Sequence, residues 1–333
     1  MDITELNYII KIRRTVTYHL FQALRLSKLR TYNDLSKYYQ NGEKSLFYFK
    51  TTLVVMIDGK VRHGGLADRI KGILSIYDYA IKNNYDFRIF HNFPFEISEY
   101  LEPNLFDWRI NENELSFNSQ DAQPLFIESL GYFKESIAQK RVLDRNIKND
   151  KRQYHIYTNI FLCKDQYSLR FNELFKPSLK LKGSIENYNE QFSASYVAMV
   201  FRFQQLLGDF KEGNYPILSI PNQLNLMEKC RNKIKSIQKK LPNRQKVLVT
   251  SDSQKFLASL EGINDIYTIP GKVVHIDYTD NETEDVYLKS FIDLFLLSQA
   301  SNIFLLYTGQ MYKSDFARCA SLMKNANYNE IEF

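Results

Sequence analysis

The pattern that most constrains this chain begins at residue 46. Leu46 to Ile57 is apolar and rich in β-branched residues, with no helical period, which predicts a buried strand. Asp58-Gly59 ends it with a turn. His63-Gly64-Gly65 then leads into a helical stretch from Leu66 to about Lys82, and Asp86 to His91 predicts the next strand. Strand, glycine-bearing loop, helix and strand is the unit of a doubly wound parallel sheet.

The alternation resumes further on. Tyr154 to Phe161 predicts a strand, and Phe171 to Phe175 a helix stopped by Pro177. Asn187 to Phe192 reads as a polar connection, and Ala194 to Phe203 as a strongly buried strand. Downstream come a helix over Leu224 to Lys239, a strand over Lys246 to Thr250 and a short strand over Lys272 to Ile276. A helix over Glu282 to Gln299, a strand over Asn302 to Tyr307 and a helix over Lys313 to Met323 complete the pattern. Residues 92–150 are less regular, with a basic exposed stretch from Lys140 to Arg152. The expected organisation is two α/β domains, 45–190 and 191–333, after an extension over 1–44. Within that extension Ile9, Ile12, Val16, Leu20 and Leu24 share one helical face. It carries Lys11, Arg13, Arg14, Arg25, Lys28 and Arg30 against Asp2 and Glu5. The face fits either core packing or an anionic membrane surface.

The chain has 333 residues, enough for two such domains. Its net charge of +6 hints at an anionic partner without selecting one. Cys163, Cys230 and Cys319 are far apart and form no CxxC pair, which argues against a zinc site or disulfide framework and fits a reducing cytoplasm. No apolar run reaches the ~18 residues needed to span a bilayer. The start, MDITELNYIIKIRR, does not read as a signal peptide. No nucleic-acid-binding motif is present.

Four segments carry chemistry. In the first, His63-Gly64-Gly65-Leu66-Ala67-Asp68-Arg69, the glycines let a ligand approach the backbone and the following helix N-terminus favours an anion. A plain structural turn would explain the glycines equally well, and the spacing is neither G-x-G-x-x-G nor a P-loop. The second is the strand ending in Arg202, where a guanidinium suits a phosphate beyond a carboxyl end. Pairing with a carboxylate such as Asp209 is the plainer reading. The third, Ser251-Asp252-Ser253, also follows a strand and suits either a helix cap or nucleoside contacts. The fourth runs from Asp293 through Leu297-Ser298-Gln299-Ala300 and the strand to Thr308-Gly309-Gln310.

In this order the segments resemble the GDP-fucose-using fucosyltransferases, the α1,6/α1,2/protein O-fucosyltransferase superfamily. Core α1,6-fucosyltransferases and nodulation fucosyltransferases are the nearest. The resemblance spans roughly residues 52–323. Asp293 to Gln310 lies without gaps on the α1,6 pattern of Asp, three residues, Leu-Ser-Gln-Ala and a strand ending in Ser-Ser-Gln, with Thr308-Gly309 in place of the two serines. Asp252 falls on the aspartate of the Thr/Ser-Asp turn. Arg202 falls on the arginine of His-x-Arg, whose histidine is Val200 here. The second arginine is Phe203, and the α1,6 catalytic carboxylate falls at Phe210, one residue after Asp209.

The resemblance implies a GT-B fold of two Rossmann-like domains facing a cleft, with the donor held mainly by the C-terminal one. It also implies inversion at the sugar carbon without a required metal, consistent with the lack of Asp-x-Asp and the scattered histidines. The expected activity is a bacterial-type cytoplasmic glycosyltransferase moving fucose from GDP-fucose to a glycan hydroxyl. The acceptor would suit a lipid-linked glycan met at the inner membrane face through residues 1–30. Arg202 is the expected clamp on the departing GDP, and Asp209 or Asp68 the base. Gly64, Gly65, Arg69, Ser251, Asp252, Ser253, Asp293, Thr308, Gly309 and Gln310 are the expected donor contacts. A transferase using another nucleotide sugar, or an inactive binding protein of the same fold, are the alternatives.

Overall fold

The computed structural model describes residues 34–41, 49–128, 135–192, 195–213, 215–242, 245–278 and 285–333. The basic helix expected within residues 1–30 lies outside them. Of the extension, the described part packs on the first sheet, where Leu35 is buried with Val54 and Met56.

The first sheet is four-stranded and parallel, in the order β2-β1-β5-β4. Its strands are β1 (Thr52–Ile57), β2 (Asp86–His91), β4 (Ala122–Ile127) and β5 (Gln153–Thr158). Central β1, with the sequence TLVVMI, is buried at every position because helices or loops cover both faces. Edge strand β2 alternates buried and half-buried residues instead. The β1 strand starts at Thr52, later than the apolar run suggested, and residues 42–48 lie outside the described chain.

Helix α1 (Leu66–Lys82) has the expected bounds. Asp68 in its first turn and Lys82 in its last both complement the helix dipole. It lies so close to the sheet that a Cβ on Gly72 would come within 2.5 Å of the Thr158 carbonyl oxygen. Helix α2 (Glu135–Asn146) follows β4 and takes up part of the basic stretch.

Two helices join the sheets: α3 (Tyr167–Leu174) and α4 (Leu179–Phe192). Between them β6 (Phe175–Pro177) pairs antiparallel with β3 (Leu101–Pro103). The supposed polar connection over Asn187 to Phe192 is thus the end of a helix. Leu181, Ile185 and Phe192 lie on its buried face, and the polar residues between them made the period hard to read.

The second sheet is five-stranded and parallel, in the order β11-β10-β7-β8-β9. Its strands are β7 (Tyr196–Phe201), β8 (Lys246–Ser251), β9 (Ile266–Thr268), β10 (Asn302–Tyr307) and β11 (Asn327–Glu332). Helices α5 (Ile220–Gln238), α6 (Gln254–Ala258), α7 (Asp285–Gln299) and α8 (Phe316–Lys324) connect them. Residues 272–276 are not a strand. They follow Gly271, whose φ is +112°, and run into a 3-10 turn at Ile276–Tyr278. Strands β9 and β11 went unpredicted, because β9 is short and β11 is an exposed, polar edge.

One apolar cluster runs from the first sheet through α3 and α4 into α7 and α8. Its seam is aromatic. Tyr100 stacks on Phe291 with ring centroids 4.5 Å apart, and Phe95 touches both Tyr287 and Phe291. The two sheets therefore share a core below the cleft that separates their carboxyl ends.

Candidate functional site

A cavity of about 280 Å³ opens at the carboxyl ends of β7 and β8. Two helix N-termini border it: Gly65 to Asp68 at the start of α1 and Ser314 to Phe316 at the start of α8. Exposed N–H groups and the positive ends of two helix dipoles make it favourable for an anion. Arg202, Glu212, Thr250, His275, Asp293 and Tyr312 also face it. Strand ends of one sheet and a helix start of the other thus build a single site between the two halves.

Arg202 is where the sequence placed it, just past β7. Its Nη2 donates to Glu212 Oε2 at 2.5 Å, and its Nη1 lies 3.3 Å from Asp252 Oδ2. The guanidinium also rests over the Phe210 ring, 4.4 Å from its centroid. Its partner is Glu212 and not Asp209. Asp209 accepts from Ser253 Oγ at 2.9 Å and from the Lys255 amide at 2.8 Å, so it caps the start of α6 and does not line the cavity. Ser253 is buried beside it and accepts from the Phe256 amide, as a helix cap does.

Asp252 borders the cavity with both oxygens committed. Oδ1 accepts from the Phe203 amide at 2.8 Å and Oδ2 from the Gln204 amide at 2.7 Å. It fastens the turn after β7 and so positions Arg202. Ser251, also at the cavity, accepts from the Ser253 amide through its hydroxyl.

The glycine loop divides by role. Gly65 and Asp68 line the cavity, while the Gly64 amide donates to Asp277 Oδ2 at 2.6 Å. Gly64 has φ +81°, and a Cβ there would fall 2.9 Å from that of Asp68, so this turn needs glycine. Arg69 does not face the cavity. It is 1% exposed, and its guanidinium donates to Asp277 Oδ1 at 2.8 Å, the Phe93 carbonyl at 2.6 Å and the Gly64 carbonyl at 3.0 Å. Its charge ties the two halves together beneath the site.

Asp293 on α7 is 4% exposed and faces the cavity. Lys289 Nζ donates to its Oδ2 at 2.7 Å, and Oδ1 has no partner among the described residues. Burial pushes its pKa up, against the opposing pull of Lys289. A buried carboxylate oxygen without a donor is costly, and Asp209 Oδ1, away from the cavity, is in the same state. Thr308, Gly309 and Gln310 turn away from the cavity lining. In their place Tyr312, two residues further along, reaches it, held by its amide donating to the Arg202 carbonyl at 3.1 Å.

Glu212, His275 and Tyr312 were missed from sequence. Glu212 lies two residues past the position where the fucosyltransferase pattern carries a carboxylate, a signal that a small shift in alignment would have recovered. Burial and the Arg202 charge lower the pKa of His275, against the opposing pull of Glu212. Among the described residues no group of three His, Cys, Asp or Glu side chains is placed to hold a metal ion.

No protein-family model and no curated protein matches the sequence. Solved structures do match in fold. NodZ α1,6-fucosyltransferase soaked with GDP-fucose is 15% identical with a TM-score of 0.52, over 82% of this chain and 92% of that one. The fucosyltransferase NodZ from Bradyrhizobium is 14% identical with a TM-score of 0.52 over the same shares. Arabidopsis thaliana FUT1 in complex with GDP, an arginine-to-lysine mutant, is 13% identical with a TM-score of 0.53, over 91% of this chain and 73% of that one. The chain has the GT-B-like α/β fold of these fucosyltransferases.

Proposed function

We propose that this protein is a glycosyltransferase whose donor is a guanosine-diphosphate sugar, GDP-fucose by its resemblance to the fucosyltransferases. One observation carries the nucleotide: the buried carboxylate of Asp293 lines the same cavity as Arg202. Guanine offers two adjacent donors, N1–H and the 2-amino group, which a carboxylate accepts together. Uracil offers a single N3–H flanked by two carbonyl oxygens and cytosine only its 4-amino group, so each forgoes one of the two hydrogen bonds, a loss of about 1–3 kcal/mol. Structures of the same fold that hold GDP or GDP-fucose support the reading.

In the reaction an acceptor hydroxyl oxygen bonds to the anomeric carbon while the bond from that carbon to the β-phosphate oxygen breaks. GDP leaves with the bonding pair, and the hydroxyl proton passes to a carboxylate. Arg202 and the two helix N-termini stabilise the charge growing on the phosphate. Asp68, on the opposite wall from β7, is the proposed proton acceptor. One of its oxygens is tied to Lys71 at 2.7 Å, and the side chain stays partly open to solvent. Direct displacement inverts the sugar carbon, and no step in this scheme calls on a metal. The acceptor is a glycan hydroxyl, and a lipid-linked glycan at the inner face of the membrane is the source we propose.

Thermal denaturation with GDP, UDP and CMP tests the nucleotide, because a ligand that binds only the folded state raises the melting temperature. GDP alone should raise it. A shift with UDP and none with GDP would replace the donor class, and no shift with any nucleotide would remove the transferase reading.

A further inference from the structure

The loop that carries Arg202 and Glu212 leads into an apolar surface that the donor chemistry does not use. Tyr215 is 47% exposed, Ile217 61%, Ile220 64% and Leu224 58%, all within ten residues. On α5 the positions of Ile220, Leu224, Arg231 and Lys235 fall within an arc of roughly 60° at about 100° per residue. The adjoining side of the helix, centred about 100° round from that arc, buries Leu226, Met227, Cys230, Ile234 and Ile237. This stripe, at the edge of the buried face, is apolar at the helix start and basic towards its end. Between residues 220 and 240 Lys229, Arg231, Lys233, Lys235, Lys239 and Lys240 face one acidic residue, Glu228, which Arg231 neutralises.

We propose that this face of α5, with the loop before it, is a docking surface for an anionic lipid bilayer. Bulky apolar side chains enter the boundary between headgroups and acyl chains, while Lys235 on the same stripe and Lys239 beside it on the exposed side meet lipid phosphates. Charge complementarity selects this occupant: a second copy of the chain would bring the same basic stripe near its like. The surface is also coupled to the site. Leu218 N donates to the Leu206 carbonyl at 3.0 Å, and Gln205 Nε2 to the Gly213 carbonyl at 2.8 Å, so the docked segment braces the loop that holds Glu212. The proposal stands whether or not the donor carries guanine, and it is separate from any contact made by residues 1–30.

Co-sedimentation of the full chain with vesicles tests it, using phosphatidylcholine alone and phosphatidylcholine mixed with phosphatidylglycerol. Binding to the mixed vesicles should be at least about tenfold stronger and should weaken with added salt. Ile220→Asp with Leu224→Asp should lower it about tenfold at unchanged near-ultraviolet circular dichroism. Lys235→Glu with Lys239→Glu, both on the solvent side, should do the same and serves if the first pair fails to fold. Equal affinity for the two vesicles would overturn the proposal. So would wild-type binding by folded variants, which would move the contact elsewhere in the chain. A dimer broken by the aspartates, with no vesicle binding, would make the surface a protein interface and overturn it too.

Discussion

Glu212 holds Arg202 through an ion pair inside the cavity, at the place where a donor phosphate would sit. Both side chains are largely shielded from water, so the guanidinium is oriented before any ligand arrives. A diphosphate must take over at least one of its N–H groups. Arg202→Ala should therefore weaken GDP binding by about 100-fold, two charge-assisted hydrogen bonds being lost. Glu212→Gln should tighten it by about three- to tenfold, because a carboxylate competing with the phosphate is gone. Calorimetric titration reads both, and weaker GDP binding by the glutamine variant would show that Glu212 does not oppose the phosphate.

Asp293 should set the choice of base. Asn in its place offers one acceptor and one donor, so GDP should bind about 10- to 100-fold more weakly. Inosine diphosphate, which lacks the 2-amino group, should already bind wild type more weakly than GDP. That preference should shrink in Asp293→Asn. If the ratio of the two affinities is the same in both proteins, guanine does not meet Asp293.

The pair Arg69–Asp277 joins α1 of one half to the 3-10 turn of the other, with both side chains buried. Asp277→Ala leaves a buried guanidinium and the Gly64 amide without their acceptor. The expected loss is about 3–5 kcal/mol in urea unfolding. A loss below about 1 kcal/mol would mean that water replaces the carboxylate freely.

His63 gives the fold an acid-sensitive step. Burial first, and the Arg69 charge second, lower its pKa from 6.5 to about 4. Its Nε2 accepts from the Gly59 amide, which requires the neutral ring. The unfolded chain binds a proton below pH 6.5 while the native one stays neutral. Stability from this group is present above pH 6.5 and is lost as pH falls to about 4, up to about 3 kcal/mol. His63→Gln should flatten that part of the stability profile. An unchanged slope between those values would assign the acid sensitivity elsewhere.

The parallel α/β architecture was legible because buried strands such as β1, β7 and β10 are continuous apolar runs, and because Gly64-Gly65 marks the start of α1. The edge strands β9 and β11 and the amphipathic α4 were not, since their apolar residues are too few or too spaced to stand out. At the site, Arg202, Asp68, Gly65 and Asp293 could be placed from strand ends and pattern. Arg69, Asp209 and Ser253 could not be separated from them, because a charged or polar residue committed to an internal cap or ion pair looks the same in sequence as one facing a ligand. His275 comes from a loop whose course only tertiary packing fixes, while Glu212 sits two residues off the position where the pattern places a carboxylate. The abundance of phenylalanine and tyrosine also gains a physical place: many of these rings form the seam between the two halves.

The most direct test is the crystal structure of the full chain bound to GDP. The diphosphate should lie within hydrogen-bond reach of Arg202, with Glu212 displaced from it and the guanine N1 and 2-amino groups on Asp293. GDP bound away from this cavity, or its guanine turned from Asp293 with Arg202 still held by Glu212, would contradict it.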